Sequence, residues 1–219
     1  MKIISITDIH NRKIDCNALI MDLKQADLLL IAGDITHFGK GEDVISALDE
    51  LRQYSSRILA IHGNCDYPDV LKELQKQKLS LHGTIMTEYG IQFLGLGGSL
   101  PCPGRTPSEY SEAQFSKILT ESAIRLDNDS DFIFVSHQPP YNTLNDKVAN
   151  GSHVGSRSVR SFIEKYQPIA CITGHIHEGV GIDQIGRTKI VNPGPFNSGS
   201  YLFLELKEDD LQIDIRKCF

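Results

Sequence analysis

Five short apolar runs constrain this chain more than any other feature. Residues 2–7, 28–32, 57–61, 131–136 and 169–173 are apolar nearly throughout, the pattern of β-strands buried on both faces. Helical stripes stand between several of them: Val44, Leu48 and Leu51 within 43–54, Val70, Leu71 and Leu74 within 68–79, and Val159, Phe162, Ile163 and Tyr166 within 156–167. A less regular stripe, Ala18, Leu19 and Met21, follows Asp15. Residues 84–88 and 92–96 flank Tyr89-Gly90-Ile91, and residues 201–206 and 211–216 flank Lys207-Glu208-Asp209-Asp210; both read as antiparallel hairpins. The expectation is a mixed α/β fold with two sheets, and 100–107 is the most irregular stretch, a lid or a surface crossing.

Composition bounds the function. With 219 residues and 40% hydrophobic content the chain can bury one good core, and without repeats or a linker it is expected to be a single domain over 1–219. A net charge of −6 with no basic run speaks against a protein that tracks long nucleic acid. The opening MKIISITDIH meets Asp8 too early for a signal-peptide core or a membrane span, so no membrane association and a cytoplasmic location are expected. The cysteines, Cys16, Cys65, Cys102, Cys171 and Cys218, are odd in number and form no CxxC pair, which argues against a disulfide framework and a zinc ribbon.

The residues that follow the five runs carry the chemistry. They are Asp8-Ile9-His10, Gly33-Asp34, Gly63-Asn64, His137 and Gly174-His175-Ile176-His177. In open α/β sheets, sites form outside the carboxyl ends of strands, and here every such end offers a metal ligand. Asp8/His10 and His175/His177 are two residues apart, a spacing that in extended chain sends both side chains to one face. Gly33, Gly63 and Gly174 suit a sharp turn after a buried strand. A carboxylate, amide and imidazole set suits manganese, iron, zinc, cobalt or nickel and discriminates poorly among them. Of the remaining histidines, His37, His62 and His82 are expected to be structural, and His153 is the best candidate for a substrate contact.

The ordered series DIH, GD, GNCD, SH and GHIH, from residue 8 to residue 177, resembles the calcineurin-like metallophosphoesterase superfamily, in particular its small prokaryotic phosphoesterase and phosphodiesterase members. The departure is Cys65, where the family pattern has His; Asn192-Pro193-Gly194-Pro195 also resembles a turn of that family. The resemblance implies a two-sheet β-sandwich flanked by helices, an αββα arrangement of four layers, holding two divalent metal ions. By position, Asp8, His10, Asp34 and His177 would bind the first and Asp34, Asn64, His137 and His175 the second, with Asp34 as the bridge and Asp34, Asn64 and His10 central to catalysis.

The implied reaction is hydrolysis of a phosphodiester in a small molecule or nucleotide, by attack of a metal-bridging hydroxide. Alternatives are a phosphomonoesterase, a non-catalytic binding scaffold of the same fold, and a nuclease, for which extra DNA-binding segments are lacking. Arg12, Arg105 and Tyr110 are further candidate substrate contacts, beside Cys65 and His153. A thiol at position 65 is a weak hydrogen-bond donor and is not expected to act as a nucleophile.

Overall fold

The computed structural model describes residues 1–127, 130–207 and 210–218. Two sheets face each other. The first has the strand order β11-β10-β1-β2-β3, built from β1 (Lys2–Ile6), β2 (Leu28–Ala32), β3 (Ile58–Ile61), β10 (Ser200–Lys207) and β11 (Asp210–Lys217). The second runs β4-β5-β6-β7-β9-β8, from β4 (Ile85–Glu88), β5 (Ile91–Leu96), β6 (Phe132–Ser136), β7 (Ala170–Thr173), β8 (Gly181–Ile185) and β9 (Thr188–Asn192). β1, β2 and β3 are parallel to one another, as are β5, β6, β7 and β9, while β10 and β11 on the first sheet and β4 and β8 on the second are paired antiparallel.

Side-chain alternation produces the layers. In β2, Leu28, Leu30 and Ala32 point between the sheets, where they meet Phe93, Ile133, Val135 and Ile172 of the second sheet. Leu29 and Ile31 point the other way, onto α1 (Asn17–Leu23), α2 (Gly41–Leu51) and α3 (Pro68–Lys76). On the outside of the second sheet, Leu94, Phe134 and Cys171 receive α4 (Glu112–Ala123) and α5 (Arg157–Tyr166). The expected four-layer αββα sandwich is therefore the observed one, and its strands are apolar on both faces because both faces are covered.

The helices form where stripe and cap agree. Pro68 opens α3, whose Val70 and Leu74 are buried, and Ser156 caps α5 by accepting the Val159 N–H at 3.1 Å. Sequence periodicity did not reveal α4 or the strands β8 and β9. In α4 the buried face is Phe115, Leu119, Ser122 and Ala123, half of it small or polar, so the stripe is faint. Its clearest sign is a capping box, Ser111 with Gln114. The expected hairpin joins β10 to β11, but its strands run one residue further than expected, with Lys207 opposite Asp210; Glu208 and Asp209 lie outside the described residues.

The cysteine expectation is corrected. Cys16 and Cys218 form a disulfide that ties the start of α1 to the end of the chain across a separation of 202 residues. An odd cysteine count excludes complete pairing but not one bridge, and adjacency over that separation is a tertiary property. No helix among the described residues is long and apolar enough to cross a membrane.

Candidate metal centre

The carboxyl ends of β1, β2 and β3 meet those of β6 and β7 across the sandwich, and the loops leaving them are sewn together by backbone hydrogen bonds. Asp8 N–H donates to Gly33 O at 3.0 Å, and Ile9 and His10 N–H both donate to Asp34 O, at 2.9 and 3.0 Å. Turning is done by the ligand residues themselves: Asp8, His10, Asp34 and His175 have φ of 53°, 49°, 48° and 66°. Non-glycine residues in the left-handed region are strained, and they persist here because the surrounding bonds over-determine them. The two-residue spacings therefore work through tight turns rather than through strand alternation. His177 turns back to Asp8, whereas His175 lies against His137, with ring centroids 5.3 Å apart.

Glycine is required for close approach more than for turning. A Cβ on Gly63 would lie 2.0 Å from Asp34 Oδ1, and one on Gly174 would lie 2.0 Å from Thr7 Oγ1. Of the three glycines expected to turn the chain, only Gly33 has a positive φ, at 98°.

Each carboxylate spends one oxygen on the scaffold and keeps one for the centre. Asp8 Oδ2 accepts from Thr7 Oγ1 at 2.8 Å and from His175 N–H at 3.2 Å, leaving Oδ1 3.2 Å from His177 Nε2 and 3.9 Å from His10 Nε2. Asp34 Oδ1 accepts the Cys65 N–H at 2.8 Å, and its Oδ2 lies 3.7 Å from His10 Nε2 and 3.5 Å from His137 Nε2. Asp34 thus faces both histidine groups. Ligand atoms sharing one cation at about 2.0–2.2 Å stand roughly 3–3.5 Å apart, and this cluster is close to that spacing.

His137 provides the test of whether a cation fits. Its Nδ1 lies 2.8 Å from Ala32 O, an acceptor, so Nδ1 carries the hydrogen. Its Nε2 lies 3.0 Å from Asn64 Oδ1 and 3.5 Å from Asp34 Oδ2, also acceptors, with the amide placed so that Asn64 Nδ2 faces Cys65 Sγ at 3.5 Å. A lone pair facing two oxygens is repulsive unless a proton or a metal cation lies between. Burial opposes a charged ring, yet the Asp34 charge and hydrogen bond raise the His137 pKa to about 9. A divalent cation would take that proton's place, and the donor set fits one.

The other groups respond to the same field. Burial opposes ionisation of Asp8, but the His177 hydrogen bond and His137 outweigh it and hold its carboxyl below the usual range. Asp34 is likewise buried and drawn well down, chiefly by His137. Burial and then His137 lower His175 to about 4, so that ring stays neutral. Burial followed by the Asp34 charge pushes the Cys65 thiol far up, so it keeps its proton although its sulfur stands within ligand reach of His10 and Asp34. Among the described residues, three ligand groups emerge: Asp8-His10-His177, His10-Asp34-Cys65 and Asp8-Asp34-His137.

Three supporting residues escaped the sequence reading. Asp66, fully buried, accepts from Gly63 N–H at 2.8 Å, Ile35 N–H at 3.2 Å and Thr36 N–H at 2.8 Å, locking the β2 and β3 ends together. Its signal was its place as the last letter of GNCD. Cys102, in the irregular 100–107 loop, has its sulfur 3.6 Å from His175 Nε2, a contact with no local signature. Asp146 receives His153 Nδ1 at 2.7 Å.

His62 and His82 are structural, as expected: His62 is buried and His82 half-buried, ring to ring at 4.8 Å, with His62 Nε2 3.2 Å from Tyr110 OH. Tyr110 is thereby engaged behind β3. His37 stands edge-on to His10 at 5.5 Å. The Arg12 guanidinium donates to Asn197 O, lies 3.9 Å from Asp15 and stands 5.8 Å from the Phe196 ring centroid. Arg105 is an exposed residue with a φ of 50°.

The chain is similar to known proteins in sequence and in fold. The chain is 40% identical over 218 residues to the uncharacterized protein MJ1162 of Methanocaldococcus jannaschii, covering 98% of this chain and 96% of that one. It is 26% identical to the UPF0046 protein K07C11.7 of Caenorhabditis elegans, over 92% of this chain and 72% of that one. Its fold is similar to that of TT1561 of Thermus thermophilus (TM-score 0.70, 18% identity, 100% and 99% covered). It is also similar to that of a dimetal phosphatase from Danio rerio (TM-score 0.65, 14% identity, 100% and 96% covered). The family described as calcineurin-like phosphoesterase matches residues 1–179, more than three quarters of the sequence. The chain belongs to the calcineurin-like phosphoesterase family.

Proposed function

We propose that this protein hydrolyses phosphodiesters of small molecules or nucleotides, with two divalent cations held by Asp8, His10, Asp34 and His177 on one side and by Asp34, Asn64, His137 and His175 on the other. The observation that carries the reading is the position of Asp34 Oδ2, 3.7 Å from His10 Nε2 and 3.5 Å from His137 Nε2, which suits a carboxylate shared between two ligand groups. When bound, such a cation pair acidifies a water and offsets the charge on the phosphoryl oxygens.

The residues of the chain do the rest. Thr7, His175 N–H and Cys65 N–H hold the two carboxylates in orientation, and the Asp66 lock keeps Asn64 beside His137. Local charge supports the diester. A thiol that keeps its proton at position 65 adds no positive charge, whereas a protonated imidazole there would, so the site is better matched to the single charge of a diester than to a monoester dianion. The test is turnover of a monoester, an open diester and a cyclic nucleotide by metal-loaded protein, alongside its metal content. Preference for the open diester with two metals per chain supports the proposal; preference for the monoester overturns its diester assignment.

A further inference from the structure

A second polar cluster lies on the loop between β6 and α5, which hydrogen bonds tie to the segments bearing His137 and His177. Asp146, at 0% exposure, accepts from Asn142 N–H at 3.0 Å, Thr143 N–H at 2.8 Å, Gly155 N–H at 2.9 Å and, at 2.7 Å, from His153 Nδ1. The carboxylate is the acceptor in all of these contacts, so it fixes the hydrogen on the nearer ring nitrogen of His153. The His153 side chain keeps 30% of its surface open, and its Nε2 makes no hydrogen bond among the described residues. The Tyr141 ring stands 6.1 Å from it and is itself covered by Arg157, 3.9 Å from the Tyr141 centroid.

The loop is attached directly to the metal-ligand segments. Gln138, next to His137, donates from Nε2 to Val154 O at 3.1 Å and accepts Leu100 N–H at 2.9 Å through Oε1. Asn145 Nδ2 donates to Gly179 O at 2.9 Å and to Gly181 O at 2.9 Å, just beyond His177. An imidazole with one nitrogen tied to a buried carboxylate and the other open is the arrangement used to move a proton in acid–base catalysis.

We propose that His153, oriented by Asp146, donates the proton to the leaving-group oxygen in phosphodiester hydrolysis, a task for which the weakly donating thiol of Cys65 is unsuited. The inference rests on the phosphoesterase reading above. In the step, a water oxygen bonds to phosphorus and the bond to the leaving oxygen breaks, its electron pair going to that oxygen. The oxygen takes the proton from Nε2 of the imidazolium. The proton lost by the water returns through solvent to the open edge of His153, and Asp146 balances the ring's charge throughout.

The experiment uses two metal-loaded substrate assays that differ only in leaving group: thymidine 5′-p-nitrophenyl phosphate, and the dinucleotide whose leaving group is a thymidine 3′-hydroxyl. Nitrophenolate leaves without a proton and a sugar alkoxide does not. His153→Ala should lower kcat on the dinucleotide about 10²- to 10³-fold and leave the nitrophenyl ester within about threefold. Should that variant melt early, His153→Gln is read on the same two esters. A merely structural role for the loop would depress both substrates alike, and equal losses or no loss on the dinucleotide overturn the proposal. Independently of turnover, nitrogen NMR of the metal-free protein should show His153 protonated at Nδ1; an unprotonated Nδ1 also overturns it. Wild-type protein that binds two metals but cleaves neither ester sinks the phosphodiesterase reading and this inference with it, whereas an active wild type with equal losses in the variant sinks this inference alone.

Discussion

Asp34 Oδ1 accepts the backbone N–H of Cys65 at 2.8 Å, so the carboxylate facing both histidine groups is positioned by the turn that bears the thiol. The contact is made by the backbone, which is why the side chain at position 65 can vary without releasing Asp34. Gly63 makes the approach possible, since a Cβ there would collide with Asp34.

Replacing Asp34 by Ala removes the carboxylate that faces both His10 and His137. Elemental analysis should find less than one metal per chain in Asp34→Ala, and turnover should fall by about 10³-fold or more, in line with the several kcal/mol of charge stabilisation that bound cations supply. Retention of wild-type metal content and rate would refute the bridging assignment.

Cys65→Ala should keep at least about half of the wild-type rate on an activated diester, because the thiol is held protonated by burial and by Asp34 and is a weak donor. Cys65→His should change the ratio of monoester to diester turnover by placing a titratable ring at the same spot. Near-complete loss in Cys65→Ala with metals retained would show that the thiol takes part.

Acid should weaken the fold through the His62 and His82 pair. Burial lowers His82 to about 4, and burial with the His82 charge lowers His62 well below its usual value. A histidine whose folded pKa lies below its unfolded value favours the native state above the unfolded pKa. That advantage is lost as pH falls from about 6.5 toward the folded value of about 4. The shift at His82 corresponds to a loss on the order of 3 kcal/mol across that window. In urea titrations at pH 7 and pH 4.5, His82→Asn should show a smaller drop in stability than wild type; an equal drop would place the acid sensitivity elsewhere.

Closing a 202-residue separation, the Cys16–Cys218 bridge restricts the unfolded chain more than the folded one. Cys16→Ser should lose about 2–5 kcal/mol in denaturant unfolding, and reductant should abolish the difference from wild type. Identical midpoints in the absence of reductant would mean that the bridge does not form in solution.

Much of the fold was legible because burial leaves a periodic trace. Strands covered on both faces are apolar at every position, and amphipathic helices repeat every three or four residues, so β1, β2, β3, β6, β7, α2, α3 and α5 stood out. α4 did not, since Ser122 and Ala123 pack where larger apolar side chains would have marked the stripe. The candidate ligands were legible for another reason: they follow directly on strands, so their order along the chain is their order around the site. The partners that orient them lay outside that pattern. Asp146 serves His153 from seven residues away and Cys102 reaches His175 from 73 away, and neither distance has a sequence signature.

By itself, the sequence determined which segments are buried on both faces and which residue types stand at their carboxyl ends, because local periodicity and chain order are one-dimensional properties. The tertiary structure alone decided that turns at Asp8, His10 and Asp34 aim the side chains, that Gly63 and Gly174 are required by contact, and that Cys16 meets Cys218. These are relations between residues far apart in the chain. They are set by which loops two packed sheets bring within a few ångströms of each other, and no local pattern encodes that.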